Sequence, residues 1–241
     1  MKKKFTIELA GIVFDILHKD DYIFNQCSSQ GFIDEQPAKT ADVTIDIDDD
    51  TVNFEQDEAI GYPFGYCESV AIYRAIGKAL IPFNAFIFHG AALKVGQDAY
   101  LFSGRSGAGK STHIKQWLHY HPDLATVING DKPIIRYIDG QFVAFGTPWN
   151  GKEGFGTRSS APIKQLYYIV QAKEDRCELM DNKQAIHQVL NQVYFTDEAA
   201  NATKQFMLLN QFITSVSVYT LYCTPTEDAV RAVMATMELA Q

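Results

Sequence analysis

The chain has 241 residues, of which 46% are hydrophobic and 21% are charged, and its formal net charge is −8. This composition is typical of a globular protein that can bury one large core, or a core with an appendage. The acidic balance argues against nucleic acid or an anionic membrane as the main partner. No apolar run approaches the roughly 18 residues of a membrane span. The N-terminal MKKK is too short for a secretory signal, and the four cysteines form no CxxC pair, so we expect a cytoplasmic protein with reduced thiols.

The first third of the chain predicts a small β-rich unit with one clear helix. Residues 5–16 alternate apolar and polar side chains around a glycine, which is typical of a hairpin or a bent strand. Residues 42–48 alternate again, and the acidic cluster at their end lacks the glycine and closing glutamate of a calcium loop, so we interpret it as a solvated strand end. Residues 68–80 have the spacing of an amphipathic helix. We therefore predict an N-terminal α+β subdomain over residues 1–85.

Two strands are predicted next, at residues 85–95 and 99–103, joined by a tight turn. If they pair directly, His89 lies opposite residues 103–105. A single histidine after an apolar strand is commonly a hydrogen-bonded core residue. With this register, a catalytic or phosphate-contacting role for His89 is supported as well as the core role.

The second of these strands leads into the sequence GxxxxGKS and then into a helix, which is the setting of a Walker A phosphate loop. Its glycines let several backbone N–H groups converge on one anion, and the helix start adds its positive dipole end. Lys110 would hold the β- and γ-phosphates, and the Ser111 hydroxyl would bind Mg²⁺. The predicted ATP-binding residues are Gly104, Arg105, Ser106, Gly107, Ala108, Gly109, Lys110, Ser111 and Thr112.

The rest of the chain alternates strands and helices. Past the helix of the loop we predict strands at 124–128, 133–138, 141–145, 163–171 and 215–222, and helices at 182–194 and 198–213. A last helix is predicted to begin with a capping box at Thr224, Pro225 and Glu227. The fold class is therefore α/β, or mixed α+β, with a mixed sheet and flanking helices in a nucleotide-binding domain over residues 86–241.

Asp131 and a glycine-rich loop supply the other candidate site residues. Asp131 ends the short strand after the loop helix, where a Walker B aspartate would bind Mg²⁺; the alternative is a turn aspartate. Residues 146–158 (GTPWNGKEGFGTR) resemble a mobile, glycine-hinged catalytic loop more than a plain surface loop. Its Lys152 and Arg158 would neutralise phosphoryl charge, and Glu153 would contact the metal or the acceptor. The remaining histidines are expected to be solvated: His18, His113, His119, His121 and His187.

Together, these motifs resemble the HPr kinase/phosphorylase and phosphoenolpyruvate carboxykinase superfamily, and in particular its small HPr-kinase-like proteins of bacteria. The similarity lies in FHGAAL at 88–93, the phosphate loop, VINGDKP at 127–133 and GTPWNGKEG at 146–154. The resemblance implies that His89 lies at the catalytic centre. It also implies two adjacent aspartates after the loop helix, one of them the base, whereas this chain has Gly130 followed by Asp131. Either Asp131 has both roles, or His89 or Glu153 replaces the base, or catalysis is lost.

These observations predict an ATP- and Mg²⁺-dependent kinase that transfers the γ-phosphoryl group to a hydroxyl of a peptide, a protein or a small molecule. HPr itself and carboxykinase activity are not expected, because a hallmark segment of HPr kinases is not evident and Arg74 is the one arginine in the first 85 residues. The alternative is a nucleotide-binding regulatory module with little turnover.

Overall fold

The computed structural model describes residues 1–33, 40–196 and 198–237. Within those ranges the strands are β1 (Lys3–Leu9), β2 (Ile12–His18), β3 (Val43–Asp46), β4 (Ala85–Ile87), β5 (Ala91–Val95), β6 (Asp98–Ser103), β7 (Ala125–Asn129), β8 (Ile134–Ile138), β9 (Gln141–Phe145), β10 (Ser160–Gln171), β11 (Arg176–Leu179) and β12 (Ser217–Cys223). The α-helices are α1 (Tyr22–Ser29), α2 (Asp49–Glu58), α3 (Phe64–Ala79), α4 (Lys110–Tyr120), α5 (Asn182–Leu190), α6 (Ala199–Ser215) and α7 (Glu227–Thr236). None of the helices in these ranges combines the length and apolar character needed to cross a bilayer.

The N-terminal sheet has three strands in the order β1-β2-β3. Ala10 and Gly11 both have positive φ, at 52° and 75°, which is the backbone of a two-residue hairpin turn that follows the strand twist. The hairpin predicted over residues 5–16 is thus confirmed. The acidic cluster is not simply a strand end, because Asp48 caps helix α2 by accepting the Thr51 N–H at 2.8 Å.

The larger sheet has nine strands and mixed direction. Its main path is β4-β8-β9-β10-β6-β5-β7, and β12 pairs with β10 and with β11. Strand β10 is parallel to β6 and to β12, whereas β5 is antiparallel to both β6 and β7. Helices α5 and α6 cover one face of the sheet, and α4 and α7 contribute to a second core on the other. The predicted α/β class, with a mixed sheet and flanking helices, is confirmed.

The topology brings three chain segments to one edge of this sheet. Since β6 and β7 each run antiparallel to β5, their carboxyl ends lie at the edge where β5 begins. The glycine-rich loop follows β6, Asp131 follows β7, and His89 precedes β5. Ligands of open α/β sheets bind at such an edge.

Several predicted elements need correction. The segment 85–95 is two strands, β4 pairing with β8 and β5 with β6, because residues 88–90 separate them. The last helix begins at Glu227 with Thr226 as its N-cap, so the predicted capping box at Thr224 is wrong. Thr224 is instead held by the Asp175 carboxylate, which accepts its backbone N–H at 2.6 Å and its hydroxyl.

Candidate functional site

The glycine-rich loop between β6 and α4 has a backbone that side chains would strain. Gly104, Gly107 and Gly109 have φ of 152°, 77° and 104°, and the left-handed Gly109 is the residue before the first helical position. Ala108 closes the curl by donating its N–H to the Arg105 carbonyl at 3.0 Å, and glycine-rich curls of this kind at a helix start bind anions through their other N–H groups. The sequence-predicted loop residues therefore occupy a strand–loop–helix connection of the kind that binds phosphate.

Lys110 is folded back onto this loop. Its Nζ donates a hydrogen bond to the Gly104 carbonyl at 3.0 Å, and its side chain lines the cleft described below. Burial lowers the pKa of Lys110, and the charge of Asp131 opposes that shift. An anion bound in the loop would supply the counter-charge that the buried ammonium lacks.

His89 and Asp131 meet beside the loop. The register pairs Ala91 with Phe102, and the Ser103 hydroxyl donates to the His89 carbonyl at 3.2 Å, which agrees with the register predicted for His89. The His89 Nε2 lies 3.4 Å from Oδ1 of Asp131. The His89 backbone is fixed as well, because its N–H donates to the Gln192 carbonyl at 2.7 Å. The pair therefore has a defined position at the sheet edge.

Asp131 stands in a turn that is organised by buried Asn129. Oδ1 of Asn129 accepts the backbone N–H groups of Asp131 and Lys132 at 2.8 and 2.6 Å. Its Nδ2 donates to the carbonyl and hydroxyl oxygens of Thr147 at 3.1 and 3.0 Å, and the Thr147 hydroxyl donates to the Lys132 carbonyl at 2.8 Å. This network determines where the Asp131 carboxylate can lie.

Lys132 is a cleft residue that the sequence reasoning missed. Its Nζ lies 3.5 Å from Oδ1 of Asp131, and the side chain lines the same cleft as Lys110. Burial lowers the pKa of Lys132, Asp131 opposes the shift, and the positive charge of Lys110 adds to it. Two partly buried cations thus repel each other across one carboxylate, which favours binding of a polyanion. Its place directly after the predicted Walker B aspartate was the sequence signal that could have identified Lys132 as a cleft residue.

Asp131 itself is ionised in this setting. Burial would raise the pKa of its carboxyl, but the hydrogen bond from His89 and the charge of Lys132 outweigh burial and lower the pKa below its ordinary value. Within the described residues no cluster of three or more histidine, cysteine or acidic side chains could hold a metal. One carboxylate and one hydroxyl nevertheless fit Mg²⁺, which in nucleotide sites takes most of its other ligands from phosphates and water. Asp131 and Ser111, which both line the cleft, are the residues that would hold it.

The missing second carboxylate has a structural reason. A Cβ at Gly130 would lie 2.9 Å from the Asn150 carbonyl oxygen and 3.0 Å from that of Phe155. Both contacts are to backbone, and the Gly130 N–H also donates to the Phe155 carbonyl at 2.8 Å. The position is filled by the neighbouring loop, so an aspartate there requires that loop to move.

The first part of the loop 146–158 is anchored by two hydrogen bonds from α1 and the residue that follows it. The Pro148 carbonyl accepts hydrogen bonds from the side-chain amides of Gln26 and Gln30, both at 2.9 Å. A Cβ at Gly146 would lie 1.9 Å from the Thr157 carbonyl oxygen, so this glycine permits close packing and is not a hinge.

The three charged residues of that loop take different positions. Lys152 and Glu153 line the cleft, and Glu153 also forms an ion pair with Lys115 at 2.7 Å. Arg158 is exposed and follows the bridge between Asn129 and Gly156. It is not among the cleft-lining residues of the described chain.

A cleft with a volume of ≈ 1060 Å³ joins these groups. Its polar lining includes the loop, the His89–Asp131 pair, Lys132 and Arg74. Its other residues come mostly from the N-terminal unit and from two loop segments, residues 149–155 and 191–194. It therefore has space for a nucleotide and for a second molecule at the same carboxylate.

Two histidines expected in solvent are buried instead. His113 lies inside α4, accepts the Trp117 indole N–H at 3.1 Å and packs on Phe102, with 4.8 Å between ring centroids. His18 ends β2, and its Nδ1 lies 2.8 Å from the Asp20 carbonyl oxygen. Neither side chain reaches the cleft as described.

No family model matches this chain, and no curated protein matches it either. Among solved structures it is similar to the Hpr(Ser) kinase/phosphatase from Coxiella burnetii, at 11% sequence identity and a TM-score of 0.36, with 63% of this chain and 92% of that one covered. The likeness is distant and concerns the fold alone.

Proposed function

We propose that this protein is a phosphotransferase that moves the γ-phosphoryl group of ATP to a hydroxyl group of an acceptor. The observation that carries the proposal is the His89–Asp131 contact of 3.4 Å beside the glycine-rich loop, in one cleft with Lys110 and Lys132. A phosphate cradle, cations and a proton acceptor beside a carboxylate are the parts that phosphoryl transfer needs.

In the proposed reaction the loop and Lys110 hold the β- and γ-phosphates. Ser111 and Asp131 would hold Mg²⁺, which would neutralise part of the phosphate charge. His89 donates its Nε2–H to Asp131, which leaves Nδ1 free to accept the proton of the acceptor hydroxyl. The hydroxyl oxygen then bonds to the γ-phosphorus. The bond between the γ-phosphorus and the β–γ bridging oxygen breaks, and ADP leaves. Lys110 and Lys132 stabilise the charge that develops on the phosphates.

The test is single-turnover transfer from γ-labelled ATP with Mg²⁺, measured as label on an acceptor or as slow hydrolysis to water. Lys110→Ala and Asp131→Asn should each slow release of labelled phosphate by about 100-fold or more. His89→Ala should slow both transfer to an acceptor and hydrolysis to water, because either nucleophile gives its proton to Nδ1 of His89. Lys164→Ala is the matched control, since Lys164 pairs with Asp98 at 3.8 Å at the opposite end of β6.

A nucleotide-binding regulator is the second candidate, and the packing around Gly130 favours it because the site has one carboxylate there. Tight ATP binding by the wild type, with no release of labelled phosphate over hours and no label on candidate acceptors, would support the regulator and reject the kinase. An unchanged transfer rate in His89→Ala would remove His89 from the mechanism.

A further inference from the structure

An unusual number of aromatic side chains lines the cleft on its N-terminal side. We call this set the aromatic wall; its members are Tyr22, Tyr62, Tyr66, Tyr73 and Trp149. The rings form two groups. Tyr62 and Tyr66 stack with centroids 4.5 Å apart and Tyr22 meets Tyr66 edge-on at 6.1 Å, while Tyr73 and Trp149 lie 5.4 Å apart. The wall belongs to the cleft but has no role in the phosphate chemistry described above.

Trp149 is held in a fixed orientation by hydrogen bonds. Its indole N–H donates to the Ser69 hydroxyl at 3.1 Å, and that hydroxyl donates to the Gln26 side-chain oxygen at 3.0 Å. The Gln26 side-chain amide donates in turn to the carbonyl of Pro148, the residue before Trp149. With its polar edge bonded to α1 and α3, the ring is a rigid surface, and a ligand that stacks on it loses little binding energy to ordering.

The wall lies at the reacting end of the cleft. A Cβ on Gly151, two residues after Trp149, would be 3.0 Å from Cβ of Asp131, so the segment that carries Trp149 packs against the catalytic carboxylate. Burial raises the pKa of Tyr66 and of Tyr73, and the charge of Asp131 adds to both shifts. The wall is thus near the group that faces the acceptor, whereas a nucleoside would extend from the opposite end of the phosphate chain.

The outer rings remain in solvent. Tyr62 is 51% exposed and Tyr22 is 40% exposed. Tyrosines with apolar faces and polar tips are typical of surfaces that bind polypeptide segments, because they offer contact area and hydrogen bonds at low entropic cost. The wall itself carries no charge, and Arg74 beside it is paired with buried Glu55 at 2.9 Å. Rings of this kind pack against another aromatic side chain in offset-stacked or edge-on arrangements.

We infer that the aromatic wall selects the acceptor, and that the acceptor is a polypeptide segment with an aromatic side chain next to its phosphorylated serine or threonine. This inference rests on the proposed function. The hydroxyl reaches the His89–Asp131 pair while the neighbouring aromatic ring packs against Trp149 and the tyrosines. Tyr62 and Tyr66 are specificity-determining residues and do not take part in the transfer of the phosphoryl group.

The test is a positional-scanning library of peptides with a central serine or threonine, incubated with γ-labelled ATP and Mg²⁺. Peptides with phenylalanine, tyrosine or tryptophan beside the hydroxyl residue should be labelled about three- to tenfold better, in kcat/KM, than those with alanine. Tyr62→Ala should abolish that preference. Tyr120→Ala is the matched control. Tyr120 is 41% exposed, close to the exposure of Tyr62, but it ends α4 outside the wall.

Three results would overturn the inference while hydrolysis of ATP persists. They are equal labelling with and without the aromatic neighbour, no labelling of any peptide, and a Tyr62→Ala variant whose main defect is a raised KM for ATP. The last result would make the wall a nucleobase site. A wild-type protein that neither labels a peptide nor releases phosphate contradicts the proposed function itself, and the inference falls with it. Thermal unfolding of Tyr62→Ala checks that the variant is folded.

Discussion

Asn129 offers the sharpest test of how the site is organised, since it is fully buried and makes four hydrogen bonds to three residues. Asn129→Ala removes all four and leaves two N–H groups of the turn without a partner. At about 1 kcal/mol net for each bond, we expect the free energy of unfolding to fall by about 4 kcal/mol. For a chain of this size that corresponds to a melting temperature lower by about 8–16 °C. Thr147→Val removes two of the hydroxyl's bonds and should cost about 2 kcal/mol.

The two changes share one bond, Asn129 Nδ2 to the Thr147 hydroxyl. The double variant should therefore be destabilised by about 1 kcal/mol less than the two single variants together. Urea denaturation of the four proteins, with equal m-values, measures this coupling. Strict additivity, or a loss below about 1 kcal/mol for Asn129→Ala, would refute the argument that this network holds the turn.

Two further outcomes follow from the packing. Gly130→Asp should lower the free energy of unfolding by about 1–3 kcal/mol without raising the rate of ATP hydrolysis, because the added Cβ meets the carbonyls of Asn150 and Phe155; a faster enzyme of unchanged stability in urea would contradict this. Burial lowers the pKa of His113 to about 3, from an ordinary value of 6.5. As the pH falls, the unfolded chain therefore binds a proton at this histidine before the folded chain does. The contribution of His113 to the free energy of unfolding should be fully present above pH 6.5 and should fall by about 1.4 kcal/mol per pH unit below it, towards pH 3. The free energy of unfolding of His113→Gln, measured between pH 4 and 7, should lack this pH dependence. A pH profile identical to that of the wild type would show that His113 is not its source.

The elements that sequence patterns predicted best are those whose signal is local. Consecutive residues are enough to predict the strand and glycine-rich turn before Lys110, and also the hairpin at Asp139-Gly140. The position of His89 followed from the length of one turn. Each of these needs no knowledge of distant neighbours.

What the sequence could not predict depends on contacts between distant segments. His113 has helix-surface spacing but packs on Phe102 from the sheet. Thr224 has the sequence context of a helix cap, yet Asp175, in the connection between β10 and β11, binds it. The crowding at Gly130 comes from a loop about twenty residues later, so the sequence showed the missing carboxylate but not its cause.

The carbonyl of Pro148 links the beginning of the chain to the reaction site. Its two donors, Gln26 and Gln30, stand 122 and 118 residues earlier in the sequence. Closing so long a segment has a large entropic cost, which only the assembled core offsets. The position of the loop beside Asp131 therefore depends on the packing of α1, a helix more than a hundred residues earlier in the chain.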